Sequence, residues 1–181
     1  LVLAGDSHIQ HGDWRQLLDR PVANRGINGE TLTEFVARLP DLLAMHPHQL
    51  LLQIGSNDLD SIVLSPPQQQ ALVNTYAGLL DRLATEAPAT QVIVTTILPV
   101  TDRHANGVAS NAQLPAINAQ LLALCAQHAH CSGLDASRVL ADAAGNLRSD
   151  YSVDTEHLNA DGYAAWAAQI KTTLAVAPQA R

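Results

Sequence analysis

A serine, a histidine with an aspartate three residues before it, a loop glycine and a loop asparagine could together carry acyl transfer in this sequence. Ser7 follows the apolar run Leu1-Val2-Leu3-Ala4 and the turn residues Gly5-Asp6. A serine hydroxyl is a poor nucleophile at neutral pH and needs a base. Eight histidines compete for that role. His46, His48, His128 and His130 fall at expected helix ends or just before strands, where a helix-terminal or surface role is the simpler reading. His8 and His11 lie three apart with Asp13 nearby, but no third ligand is spaced to complete a metal site. His104 lies in a long polar loop and could touch a substrate. His157 has Asp154 three residues earlier, so the carboxylate can hold one ring nitrogen while the other faces a hydroxyl.

A developing oxyanion needs donors as well. Gly29 offers a backbone N–H with no side chain in the way. Asn57 offers a side-chain amide, and the N–H of Ser7 itself is a third group. Each feature has a plainer reading. Gly-Asp-Ser is an ordinary turn, Gly29 a turn glycine and Asn57 an Asx turn, while Asp154 and Asn159 can cap the final helix. Their joint occurrence makes the chemical reading the stronger one.

The elements that must position these groups alternate. Strands are expected over 1–4, 22–24, 50–54, 91–96 and 132–135; those over 1–4, 50–54 and 91–96 are apolar or β-branched runs, the second is short and the fifth carries little strand signal of its own. Helices are expected over about 9–20, from the Thr31/Glu34 capping box with a bend or break at Pro40, over 65–87, over 114–128 and over 160–176. Cys125 falls on a helix and Cys131 at the next strand, and both are expected as unpaired apolar fillers. The order β-α repeated five times implies a parallel sheet covered on both faces. The expected architecture is a single three-layer α/β/α domain over 1–181, with a five-stranded parallel sheet of flavodoxin-like type. In such a sheet the loops after the strands share one edge, so Ser7, Gly29, Asn57 and the Asp154/His157 pair can converge.

Composition narrows the partners. The chain has 181 residues, a net charge of −7 and 47% hydrophobic residues. It has neither a basic footprint nor aromatic platforms for nucleic acid. No apolar run approaches the ~20 residues of a membrane span. The chain opens inside an expected strand without a methionine. A removed leader is compatible with this, and a soluble protein of either the cytoplasm or an exported compartment is expected.

Gly5-Asp6-Ser7, Asn24-Arg25-Gly26-Ile27-Asn28-Gly29-Glu30-Thr31, Gly55-Ser56-Asn57-Asp58 and Asp154-Thr155-Glu156-His157-Leu158-Asn159 resemble, in order and spacing, the blocks of the SGNH hydrolases, also called GDSL esterases/lipases. The second block looks most like the platelet-activating-factor acetylhydrolase and lysophospholipase/thioesterase side of that family. The resemblance implies Ser7 as nucleophile, Asp154 and His157 as its triad partners, and Ser7 N–H, Gly29 and Asn57 as the oxyanion hole. It implies a small-molecule acyl ester substrate and no metal or organic cofactor. One departure stands beside the nucleophile, where His8 replaces the usual Leu. The expected activity is serine esterase action on short-chain acyl esters, of acetylesterase, lysophospholipase or thioesterase type. A carbohydrate O-deacetylase with the same triad, or a non-catalytic binding module on the same fold, are the alternatives.

Overall fold

The apolar runs of the sequence become the parallel strands of one sheet, in a computed structural model that describes residues 1–59 and 62–176. The strands are β1 (Val2–Gly5), β2 (Ala23–Gly26), β3 (Gln49–Gln53), β4 (Gln91–Thr95) and β5 (Cys131–Leu134). Their order is β2-β1-β3-β4-β5, and every pairing is parallel. In the register, Val2 lies beside Leu50, which lies beside Val92.

Side chains alternate across the strands, so the same runs feed two cores. Val2, Ala4, Leu50, Leu52, Val92 and Val94 pack into one layer, with Phe35, Leu39, Tyr76, Leu80 and Ile117. Leu3, Leu51 and Ile93 pack into the other, with Trp14, Tyr163, Trp166 and Ile170. The helices behind the first layer are α3 (Leu32–Ala37), α4 (Leu39–Leu43), α6 (Pro66–Glu86) and α8 (Leu114–Cys125). Behind the second lie α2 (Trp14–Leu18), α9 (Ser137–Leu140) and α10 (Ala160–Val176). The molecule is thus the expected three-layer α/β/α arrangement.

Local chemistry explains where elements begin and break. The helix expected over 9–20 is instead two, α1 (Ser7–Gln10) and α2, parted at His11-Gly12-Asp13. Asp13 accepts the Gln16 N–H and caps α2, and a Cβ at Gly12 would lie 2.5 Å from the Trp14 ring. Thr31 and Glu34 form the reciprocal capping box of α3. Pro40 then opens α4 as a separate helix, because it has no N–H to donate. The polar loop 99–111 ends in a short α7 (Gly107–Asn111), while α5 (Ser56–Leu59) follows β3 directly. The helix from Leu114 stops at Cys125, three residues earlier than expected.

That early stop overturns the expectation of unpaired cysteines. The chain turns back within the 126–130 connection, and Cys125 at the end of α8 is disulfide-bonded to Cys131 at the start of β5, with Cα atoms 5.3 Å apart. Among the described residues, no helix is long and apolar enough to cross a membrane.

Candidate active site

Ser7 stands as the first residue of α1, directly after β1. The turn between them is tight because β3 passes close by: Asp6 N–H donates to the Gln53 carbonyl at 3.2 Å. A Cβ at Gly5 would lie 1.7 Å from that same oxygen, so only glycine fits. The Asp6 carboxylate caps α1 by accepting the His8 N–H at 3.0 Å. From the far layer, the Tyr163 hydroxyl of α10 donates to the His8 carbonyl at 2.8 Å. The residues on either side of Ser7 are therefore held, Asp6 by β3 and His8 by α10.

The loop before α10 supplies the candidate base. His157 Nε2 lies 2.9 Å from Ser7 Oγ, across 150 residues of sequence. His157 Nδ1 lies 2.8 Å from Asp154 Oδ2. The other oxygen, Oδ1, accepts the backbone N–H groups of His157 at 2.7 Å and Glu156 at 3.1 Å. These bonds fold 154–157 into a turn that presents carboxylate and ring together. Partial burial raises the Asp154 pKa, but the His157 and Glu156 N–H groups, the His157 ring and its charge outweigh it and hold the value at about 2. The carboxylate thus stays ionised throughout the working range. Thr155 within this turn has φ 86°, a left-handed conformation that is strained for a β-branched residue. Its carbonyl accepts the Thr101 N–H at 2.8 Å, and its hydroxyl lies 3.1 Å from His104 Nδ1. The loop after β4 therefore braces the turn that carries the base.

Gly29 and Asn57 stand on the loops after β2 and β3, at the same sheet edge as Ser7. Ile27 N–H donates to the Gly5 carbonyl at 2.8 Å, which pins the loop after β2 beside the serine turn. Gly29 has φ 76°, a left-handed conformation that favours glycine, and nothing lies within 4 Å of where its Cβ would be. Asn57 Nδ2 donates to the Glu30 carbonyl at 2.9 Å, which fixes the amide next to that loop. Beneath them, the buried Glu30 carboxylate is paired bidentately with the Arg38 guanidinium. Arg38 also donates to the Arg25 carbonyl at 2.9 Å. The sequence reading missed Glu30 and Arg38. The eight-residue separation puts them on a loop and a helix end, and only the fold brings them together.

The structure brings all five candidate residues to one edge. His8 and His11 flank His157 rather than forming a pair of their own, with ring centroids 5.5 Å and 5.0 Å from it. His8 is fully buried, and burial first, then the neighbouring His157, lowers its pKa to about 4, so it is neutral at neutral pH. His104 touches the triad turn through Thr155, which is a bracing role the sequence did not indicate.

The Ser7 hydroxyl thus faces an imidazole whose other nitrogen is held by a carboxylate, and the Gly29 and Asn57 loops lie at the same edge of the sheet. The GDSL-like lipase/acylhydrolase family model matches residues 5–165, and the chain belongs to that family. It is a carboxylic ester hydrolase of the GDSL type. No curated protein matches the chain by sequence. Among solved structures, a Streptococcus pneumonia protein provisionally described as a platelet activating factor is 25% identical, with TM-score 0.81, covering 96% of this chain and 82% of that one. A GDSL-like lipase from Bacteroides thetaiotaomicron is 19% identical, with TM-score 0.80, covering 98% and 88%. A catalytic mutant of an acetylxylan esterase from Geobacillus stearothermophilus is 15% identical, with TM-score 0.75, covering 99% and 95%.

Proposed function

We propose that this chain, acting as one catalytic domain, hydrolyses short-chain acyl esters through a Ser7–His157–Asp154 triad and an acyl-enzyme. The observation that carries this reading is the unbroken chain of contacts Asp154–His157–Ser7, with Nδ1 at 2.8 Å and Nε2 at 2.9 Å. Ser7 Oγ attacks the ester carbonyl while His157 Nε2 takes its proton. The carbonyl oxygen becomes an oxyanion held by the N–H groups of Ser7 and Gly29 and by the Asn57 amide. Collapse expels the alcohol, which receives the proton from His157. Water then attacks the acyl-enzyme, giving its proton to His157, and the acid and free Ser7 are released. Asp154 orients the ring and stabilises the imidazolium without itself being protonated.

The test is covalent labelling by a fluorophosphonate, located by peptide mass spectrometry, alongside turnover of p-nitrophenyl acetate. Label on Ser7, and loss of both label and turnover in Ser7→Ala, are expected. Full turnover by Ser7→Ala would sink the assignment. A second reading, O-deacetylation of a carbohydrate, draws support from the structural likeness to the acetylxylan esterase. Acetylated sugars in the same substrate panel separate the two.

A further inference from the structure

His8 follows Ser7, Ser56 precedes Asn57 and Glu156 precedes His157. The structure places these three neighbours in the wall of one small cleft, together with Leu59, Ile97 and Leu114. The cleft is thus bounded by the residues next in sequence to the candidate nucleophile, the candidate oxyanion amide and the candidate base. The acyl part of an ester on Ser7 has this cleft beside it. Its volume is about 10 Å³, room for one water-sized group.

Most polar groups of the wall are already engaged. The Ser56 hydroxyl accepts the Gln53 amide at 2.9 Å. Ser110 donates to the Leu59 carbonyl at 2.9 Å, and the Asn111 amide donates to the Val100 carbonyl at 2.7 Å and to the Asn146 side chain at 2.9 Å. Two groups are not engaged. His8 is 1% exposed, yet its Nδ1 has no partner. Glu156 is half-buried and bonds through its backbone N–H to Asp154, while its carboxylate has no partner among the described residues. The two stand close together: burial first, then His157, lowers the His8 pKa, and Glu156 is the leading charge that opposes them. A buried polar atom without a partner calls for an explanation.

We propose that the acyl group taken by this site carries a hydroxyl on the carbon next to its carbonyl, held by the His8 imidazole and the Glu156 carboxylate. The proposal rests on the esterase reading and narrows its substrate to 2-hydroxyacyl esters, glycolyl in the simplest case. The chemistry of the two groups selects a hydroxyl. A carboxylate only accepts, whereas a neutral imidazole carries one N–H and one bare nitrogen. A hydroxyl donates to the carboxylate and keeps lone pairs for the imidazole N–H. A methyl group in its place makes neither bond and strands the buried ring. An ammonium brings donors alone, and a second carboxylate is repelled by Glu156. The small volume sets the remaining limit, since it takes a hydroxyl and little more.

The experiment compares the phenyl esters of glycolic acid, propionic acid and glycine on the full chain. They present a hydroxyl, a methyl and an ammonium group at one position in nearly the same volume, and all release phenol. Each kcat/KM is divided by the rate constant of the same ester with hydroxide, which removes intrinsic reactivity. A site that bonds a substrate hydroxyl rejects the isostere lacking it, and with Glu156 half-open a preference for glycolate over propionate of about 10- to 100-fold is expected. His8→Leu keeps the bulk and removes the nitrogens, and Glu156→Leu removes the acceptor. Each should bring the ratio to within about threefold of one. The ratio is taken on one preparation, so it does not depend on how much of a variant folds. A wild-type ratio near one, a preference for the glycine ester over glycolate, or a ratio that neither variant lowers overturns the proposal. Turnover without a glycolate preference fails the proposal alone. No turnover of any ester, p-nitrophenyl acetate included, with Ser7 unlabelled by fluorophosphonate, fails the esterase reading and the proposal with it.

Discussion

Replacing Arg38 by Met should loosen the loop that carries Gly29 and Glu30, the candidate oxyanion loop, and destabilise the fold together. Arg38 and Glu30 pair with side-chain exposures of only 18% and 3%. The same guanidinium donates to the Arg25 carbonyl and lies 5.1 Å over the Phe35 ring. Met keeps the apolar stem over Phe35 and removes the fork. What remains is a buried carboxylate without its cation, which typically costs 3–5 kcal/mol. Arg38 is partly open to water, so the lower end, about 3 kcal/mol, is the working figure. For a domain of this size that lowers the melting temperature by about 6–12 °C. Catalysis should suffer separately, because the Glu30 carbonyl fixes the Asn57 amide at 2.9 Å. Full loss of an oxyanion donor costs about 10²–10³ in kcat, so a misplaced one should cost about tenfold, with KM changed less. The assay is kcat on p-nitrophenyl acetate well below the lowered melting temperature, normalised by fluorophosphonate titration of active serines. Glu30→Gln added to Arg38→Met removes the stranded charge and should recover much of the stability. An unchanged melting temperature, or a kcat per titrated serine equal to wild type, would refute this account of the pair.

Three further outcomes follow from the same geometry. Asn57→Ala should lower kcat about 10²–10³-fold if its amide holds the oxyanion, and an unchanged kcat would reduce it to a loop fastener. Reduction of Cys125–Cys131, which closes a separation of six residues, should cost about 2 kcal/mol and roughly 4–8 °C of melting temperature. Two thiols titrating freely in the unreduced, denatured chain would contradict the bond. Burial pushes the Asp6 carboxyl up to about 6, against the N–H of His8 and the polar groups of Ser56 and Gln53. Its folded pKa thus lies above the unfolded value of about 3.9, so its stabilising contribution is full below that value and is lost as pH rises through about 6. Wild type should therefore gain up to ~3 kcal/mol on Asp6→Asn between pH 7 and pH 4, and parallel melting curves for the two would exclude it.

What was legible in the sequence was whatever depends on short spacing. The Thr31/Glu34 box, the Asp154/His157 pair and the apolar runs of β1, β3 and β4 each declare themselves within a few residues. What was not legible depends on where neighbours stop. The Cys125–Cys131 bond could not be read without knowing that α8 ends at Cys125, since three more helical residues would carry the chain away from β5. The split of α1 from α2 turns on the Trp14 ring folding back over Gly12, with its indole N–H donating to the Ile9 carbonyl. His8 shows the same dependence most sharply. Beside Ser7, where the family usually has Leu, the histidine stands out in the sequence only as a departure. The structure turns it inward, buried and neutral, with its Nδ1 unpartnered and its ring near that of His157. The polar letter in the sequence thus marks a buried packing position beside His157.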